Sequence, residues 1–307
     1  MLELGHRTSE FNEILQDTKK NLAKLYNLGS DYSILFLQGG ARLQFGMLPL
    51  NMRGQGTPNY VVSGHWSKIA YEEAIAVAKA TKSFDGVDFQ YTKLPTVVAV
   101  PENTSYTYVC SNETIHGIQF PKEFYGKIAA DIVIDASSDF LSSPMNFKNV
   151  PMLYACAQKN AGIAGLTICI MRNSFIDKMN AQGLPLYLDY KIHREQDSLY
   201  NTTPVFAVYV TQLITEWILE EFGNLENVEK YSTKKAGTIY QAIDDSDGFY
   251  SGHAEAAARS TMNVVFKVPE KYSADFAKAA EAKGFVNIAG HRFLGGYRLS
   301  LYNAITQ

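Results

Sequence analysis

The sequence has 307 residues, of which 46% are hydrophobic and 19% charged, and its formal net charge is -3. This length allows a substantial core and about two domains, while the lack of a broad positive charge argues against nucleic acid as a partner. No run approaches the ~20 apolar residues of a membrane-spanning helix, the first residues resemble no targeting segment, and the three cysteines form no disulfide-framework or metal-ligand pattern. We therefore expect a cytoplasmic globular protein with no membrane partner.

The first two hundred residues alternate between short apolar runs and segments of helical spacing. Strands are predicted at 34–37, 59–62, 107–110, 131–135, 152–156 and 166–170, and helices at 10–25, 43–50 and 66–80. Such alternation predicts an α/β fold with a parallel sheet, which binds ligands at the carboxyl ends of its strands.

The pattern changes after Asn201. Helices are predicted at 206–222, 225–243 and 273–283, and strands at 262–268 and 297–302. We expect a large domain of residues 1–225, joined through a long helix to a smaller α+β domain of residues 226–307.

One lysine, Lys159, follows an apolar strand and is surrounded by alanines and glycines (155–165). A solvated loop lysine is the simpler interpretation, but small neighbours let a bulky ligand come close. Partial desolvation and nearby cations would lower the pKa of such a lysine and free its amine to form an imine with an aldehyde.

Asp135 ends another apolar run. It could cap a turn with Ser137 and Ser138. Together with Lys159, however, it fits pyridoxal 5'-phosphate, because that cofactor needs an imine-forming lysine and an acid that keeps its pyridine nitrogen protonated.

Two further sites could contact such a cofactor. Gly39-Gly40-Ala41-Arg42 lies between a strand and a helix, where free backbone N–H groups can bind phosphate, although a plain tight turn is the alternative. Trp66 lies at a strand-to-helix junction and could stack on a planar ring, or it could be a core residue.

Basic residues cluster near both ends of the sequence. His6 and Arg7 form the first cluster, and His291, Arg292 and Arg298 form the second. Arginine and histidine suit phosphate or carboxylate groups, so these clusters predict an anionic substrate, although scattered surface charge is the alternative. The histidines show no metal-ligand spacing, so no metal is assigned.

Several motifs, in this order, resemble the phosphoserine aminotransferases, class V members of the fold-type I pyridoxal-phosphate enzymes. They are Gly5-His6-Arg7, 36–42, 64–68, 111–117, 157–160, Asn201-Thr202 and 290–298.

The resemblance implies a homodimer with active sites shared across the interface. It also implies amino transfer between L-glutamate and 3-phosphohydroxypyruvate, which gives O-phospho-L-serine and 2-oxoglutarate in serine biosynthesis. Some bacterial members also use 4-phosphohydroxythreonine in vitamin B6 synthesis, and the sequence leaves this second substrate open.

The resemblance further implies a role for each matching residue. Lys159 would bind the cofactor covalently and shuttle a proton, Asp135 would pair with the pyridine nitrogen, and Trp66 would stack on the ring. Thr114 would lie near the phenolic oxygen of the cofactor. The cofactor phosphate would be bound by Ala41, Arg42 and Gln158, and by Asn201 and Thr202 of the partner subunit. The substrate would be bound by His6, Arg7, His291, Arg292 and Arg298.

Relative to the family pattern, the sequence lacks a segment before Gly5-His6-Arg7 and a final helix after 301–304. Asn201-Thr202-Thr203-Pro204 also replaces a more usual Asn-Thr-Pro-Pro. Two alternatives follow: a truncated, catalytically impaired homologue, and a related pyridoxal-phosphate enzyme with another substrate.

Overall fold

The main structural element is a seven-stranded sheet with strand order β1-β9-β8-β7-β4-β2-β3. The structure is a computed structural model that describes residues 4–306. The strands of this sheet are β1 (Tyr32–Leu37), β2 (Thr57–Val62), β3 (Thr81–Asp85), β4 (Thr104–Cys110), β7 (Ile132–Asp135), β8 (Met152–Cys156) and β9 (Thr167–Arg172).

Helices cover both faces of the sheet. The helices are α1 (Ser9–Leu25), α2 (Gly40–Asn51), α3 (His65–Val77), α4 (Asn173–Asp177), α5 (Tyr190–Glu195), α6 (Val205–Glu221), α7 (Leu225–Asp244) and α8 (Glu270–Ala282). Alternate residues of β1 enter different cores: Ile34 and Phe36 pack with residues of α1 and α6, whereas Leu35 and Leu37 pack with residues of α2 and α3. The strands are apolar on both faces because both faces are covered.

One strand departs from the expected parallel sheet. β9 runs antiparallel to β8 on one side and to β1 on the other. Residues 157–166 join β8 to β9 without a helix, and so short a connection favours an antiparallel pair, since a parallel crossover needs a dozen or more residues. The predicted α/β class is confirmed, with a mainly parallel sheet.

The C-terminal part contains a second, three-stranded antiparallel sheet of order β10-β11-β12. Its strands are β10 (Ser251–Gly252), β11 (Asn263–Lys267) and β12 (Tyr297–Ser300), and a separate hairpin consists of β5 (Asn112–Glu113) and β6 (Ile118–Gln119). Ala236 and Ile243 of α7 pack with Phe266 and Tyr297 of this sheet in a core of their own. The division at residue 225 stays a prediction.

Most predicted elements are present, with shifted ends. The helix predicted at 66–80 ends at Val77, because Ala78 is already extended and leads into β3. Among residues 4–306, no helix is long and apolar enough to cross a bilayer.

Candidate active site

A cavity of about 300 Å³ opens where the parallel strands end. Its walls come from the residues that follow β1, β2, β4, β7 and β8, which meet at one edge because these strands run in the same direction. Six of the predicted site residues line it: Ala41, Arg42, Trp66, Asp135, Gln158 and Lys159.

Lys159 lies in the turn between β8 and β9, and its Nζ is 5.4 Å from the centroid of the Trp66 ring. The turn is closed by a hydrogen bond from the Ala161 amide to the Ala157 carbonyl (3.0 Å) and one from the Ala157 amide to the Leu166 carbonyl (2.9 Å). The half-buried lysine therefore projects from a fixed backbone, as a covalent anchor requires.

The pKa of Lys159 is raised, which contradicts the expected lowering. Burial is the strongest influence and acts to lower this pKa, but Cys156 and Tyr302 favour the ammonium form, and Asp135 does so too. Desolvation acts in the expected direction, but the neighbouring groups that act on Lys159 are acidic and not cationic.

Asp135 is the last residue of β7, and its side chain is buried. Its carboxylate accepts hydrogen bonds from the Ser137 amide (2.9 Å) and the Tyr108 hydroxyl (3.3 Å). Burial raises its pKa, while Ser137 and Lys159 act in the opposite direction. Asp135 therefore both caps the turn at Ser137 and lines the cavity. A buried carboxylate of this kind is stabilised by a cation within the cavity.

Trp66 is held at the start of α3 by two neighbours from the β5–β6 hairpin. Its indole Nε1 donates to the Thr114 hydroxyl (3.1 Å) and its amide donates to the Glu113 carboxylate (2.9 Å). Glu113 also accepts from the Ser67 amide (2.7 Å) and hydroxyl (2.6 Å). The partly exposed indole is thus fixed as a wall of the cavity and also packs against the hydrophobic core beneath it.

Gly64 makes room for this arrangement. A Cβ at Gly64 would lie 2.5 Å from Cδ of Glu113. Burial raises the pKa of Glu113, while its hydrogen bonds from Ser67 and Trp66 act in the opposite direction.

The Gly39-Gly40 pair turns the chain from β1 into α2. Gly39 and Gly40 have φ angles of 89° and 67°, a left-handed conformation that favours glycine. No side chain caps α2, whose first turn carries Ala41 and Arg42 at the cavity. The free N–H groups of a first helical turn are suited to bind a phosphate.

The second basic cluster lies at the rim of the same cavity. The ring centroid of His291 is 6.0 Å from that of His65, whose ring is 5.3 Å from that of Trp66. Arg298 Nη1 lies 3.5 Å from the Thr114 carbonyl, and the Arg292 guanidinium lies over the Phe293 ring at 5.1 Å. The fold therefore brings residues of the C-terminal cluster next to Trp66.

Other predicted residues lie outside the cavity wall as formed by residues 4–306. Thr114 does not line the cavity, but its hydroxyl accepts from Trp66 and its carbonyl lies next to Arg298. The Thr202 carbonyl accepts a hydrogen bond from Gln38, which precedes Gly39, and Asn201 is its half-buried neighbour. His6 and Arg7 lie in a turn before α1. The roles assigned to Asn201, Thr202, His6 and Arg7 stay predictions.

The segment after β12 reaches the lysine turn. The Asn303 amide donates to the Asn160 side chain (2.8 Å), and the Asn303 side chain donates to the Leu141 carbonyl (2.8 Å). Lys235 of α7 donates to the carbonyls of Tyr302 (2.9 Å) and Ile305 (2.8 Å). The residue next to Lys159 is therefore bonded to the C-terminal part of the chain.

Sequence reasoning gave no role to several residues of this site. Glu113 and His65 belong to the family motifs but have no predicted role, and Cys110, Asn112 and Phe45 line the cavity with no predicted role either. Their contacts join distant segments, so no local spacing identifies them. The occurrence of Glu113 directly before Thr114 was the only available signal.

Comparisons with known proteins agree with this geometry. Residues 2–307 match the family model described as Aminotransferase class-V. A phosphoserine aminotransferase of Rhodopirellula baltica is 42% identical over 99% of this chain and 82% of its own length. One of Geobacillus kaustophilus is also 42% identical, over 99% of this chain and 85% of its own.

Solved structures give the same result. Phosphoserine aminotransferase from Bacillus circulans subsp. alkalophilus matches with a TM-score of 0.92 at 37% identity, over 98% of this chain and 84% of that one. The pyridoxal-phosphate-bound enzyme from Trichomonas vaginalis matches with a TM-score of 0.87 at 31% identity, over 98% and 86%. The chain therefore belongs to the class-V aminotransferase family, within its phosphoserine aminotransferase branch.

Proposed function

We propose that this chain is a phosphoserine aminotransferase that uses pyridoxal phosphate to transfer the amino group of L-glutamate to 3-phosphohydroxypyruvate. The main support is that Lys159, Asp135 and Trp66 line one cavity, as the cofactor chemistry requires. The relatives and solved structures that bear this name support the substrate assignment.

The residues present fit the cofactor. When bound, pyridoxal phosphate supplies an aldehyde that bonds to primary amines and a cationic ring that accepts electrons from the substrate's α-carbon. The first turn of α2, with Ala41 and Arg42, would bind the phosphate together with Gln158, and Trp66 would cover the ring. Buried Asp135 would hold the proton on the pyridine nitrogen, because a carboxylate in a dry site stabilises a neighbouring cation.

Lys159 would have two tasks. Its amine would hold the cofactor through the aldehyde, and as a free amine it would move the proton at the substrate's α-carbon. Because the pKa of Lys159 is raised in the cofactor-free chain, the ammonium must lose a proton before it can bond.

The rim would bind the substrate. Arg298, whose Nη1 lies 3.5 Å from the Thr114 carbonyl, would bind the carboxylate next to the reacting carbon. His291 and Arg292 would bind the distal phosphate. His6 and Arg7 would add to the binding of these anions.

A spectral and kinetic experiment tests the proposal. The cofactor-reconstituted protein should show the visible absorbance of lysine-bound cofactor, which Lys159→Ala abolishes and Lys68→Ala, on the surface of α3, retains. Phosphoserine should change the spectrum and be turned over faster than serine at equal concentration. A reconstituted wild type without the absorbance would overturn the cofactor assignment, and equal rates would favour the alternative of another amino-acid substrate. Cofactor binding without turnover would favour the impaired homologue.

We also infer a homodimer in the cytoplasm. Three buried free cysteines are consistent with a reducing compartment. The dimer follows from the family resemblance, with Asn201 and Thr202 contributing to the partner's site. Mixing Lys159→Ala with an inactive Asn201→Ala/Thr202→Ala variant should restore about a quarter of the activity, since half of the dimers are mixed and each keeps one intact site. A monomer in solution, or no recovery on mixing, would contradict shared sites.

A further inference from the structure

His65 is the one rim histidine to which the proposed function gives no role. It is the first residue of α3 and directly precedes Trp66. Its ring lies between three aromatic groups, at 5.3 Å from the Trp66 ring, 5.0 Å from Phe293 and 6.0 Å from His291, measured between centroids. His65 therefore lies between Trp66, in the wall of the cavity, and the C-terminal basic cluster.

The surroundings of His65 are mostly cationic. His291 acts on it from the 290–298 segment, Arg42 from α2 and Lys68 from α3, while Glu72 of α3 acts in the opposite direction. Lys68 and Glu72 lie 3.8 Å apart, so their charges largely offset each other. After burial, the groups that most oppose a positive charge on His65 are therefore His291 and Arg42.

The neighbouring basic groups disfavour protonation of His65 and His291 when no anion is bound. Burial, followed by His291 and Arg42, lowers the pKa of His65, and burial together with Arg298 and Arg292 lowers the pKa of His291. Both imidazoles are therefore neutral near pH 7 and keep an N–H to donate. A dianion would accept hydrogen bonds from both and would offset the cost of protonating either ring.

The position along the cavity indicates which substrate group would meet His65. Arg298 lies at Thr114, near the cofactor face, whereas His65 and His291 lie beside Phe293, whose side chain is 61% exposed. A substrate with a carboxylate at the reacting carbon and a phosphate at its far end would place the phosphate at this outer position.

We propose that His65 is a substrate-binding residue that, together with His291, receives the terminal phosphate and so selects phosphorylated over unphosphorylated substrates. This inference rests on the proposed function. Binding of the phosphate favours the imidazolium form of His65, so the enzyme takes up a proton as the anion enters.

The test compares three variants of the holoenzyme. His65→Ala should raise the KM for phosphoserine about tenfold or more with little change in kcat, because a hydrogen bond to a charged group is lost. His65→Gln, which keeps an N–H donor, should restore most of the affinity. Lys68→Gln, which removes a charge from the same helix, should leave KM within about twofold. Turnover of serine should be unchanged in all three.

A second measurement does not depend on turnover. Inorganic phosphate should raise the pKa of the His65 imidazole in an NMR titration, with the signal assigned by its absence in His65→Gln. The inference is overturned if phosphate leaves this pKa unchanged, if His65→Ala weakens serine and phosphoserine equally, or if Lys68→Gln has the same effect as His65→Ala. Loss of phosphoserine turnover in the wild type would refute the proposed function instead, because the phosphate titration would still report on His65.

Discussion

Glu113 holds the start of α3, and replacing it with alanine should destabilise both the fold and the position of Trp66 in the cavity wall. Its carboxylate accepts from the amides of Trp66 and Ser67 at 2.9 and 2.7 Å. Glu113→Ala leaves these two donors without their partner, at about 1–3 kcal/mol each, so the free energy of unfolding should fall by about 2–6 kcal/mol. The Ser67 hydroxyl adds little, because it keeps its bond to the Gly64 carbonyl (3.2 Å).

Urea unfolding followed by circular dichroism measures this change. Glu72→Ala is the matched control, since it removes a carboxylate from the same helix whose exposed pair with Lys68 is worth at most about 1 kcal/mol. Trp66 should also lose its fixed position, so the cofactor should dissociate faster from Glu113→Ala. If Glu113→Ala and Glu72→Ala unfold within about 0.5 kcal/mol of each other, the assigned capping role is wrong.

Three further predictions concern charge and hydrogen bonding. The rate of cofactor capture should rise about tenfold per pH unit near neutrality, because the raised pKa of Lys159 leaves little free amine there; a pH-independent rate in stopped-flow absorbance would contradict this. Burial raises the pKa of Asp139 to about 6 from 3.8, so the folded state holds this proton more tightly. The wild type should therefore lose up to about 3 kcal/mol relative to Asp139→Asn as the pH rises from about 4 to 7, and a constant difference between the two unfolding curves would refute it. Asn303→Ala should cost about 1–3 kcal/mol by urea unfolding, because it leaves the buried Leu141 carbonyl without its donor, and an unchanged midpoint would exclude that role.

Features set by local pattern could be predicted from the sequence. The strand at Met152–Cys156 has the predicted limits, and the residues after the parallel strands converge as the fold class requires. Hydrophobic runs fix a strand, and strand direction fixes the edge where a ligand binds.

Features set by contacts between distant segments could not be predicted from the sequence. Glu113 caps a helix that begins 48 residues earlier, at His65, and His65 meets a ring from the C-terminal cluster. The pKa of Lys159 depends on Cys156, which is near in sequence, but also on Tyr302 and Asp135, which only the fold brings close. β9 is antiparallel because the connection from β8 is short, whereas the sequence predicted a parallel sheet.

The bond between Asn303 and Asn160 has a mechanical consequence. Asn303 follows β12, and Asn160 adjoins Lys159, so a rigid-body rotation of the three-stranded sheet would transmit force to the backbone that carries the amine. A rotation that leaves the lysine turn in place would have to keep the Asn303–Asn160 hydrogen bond intact. The Asn303–Asn160 bond thus ties the position of the lysine turn to the C-terminal part of the chain.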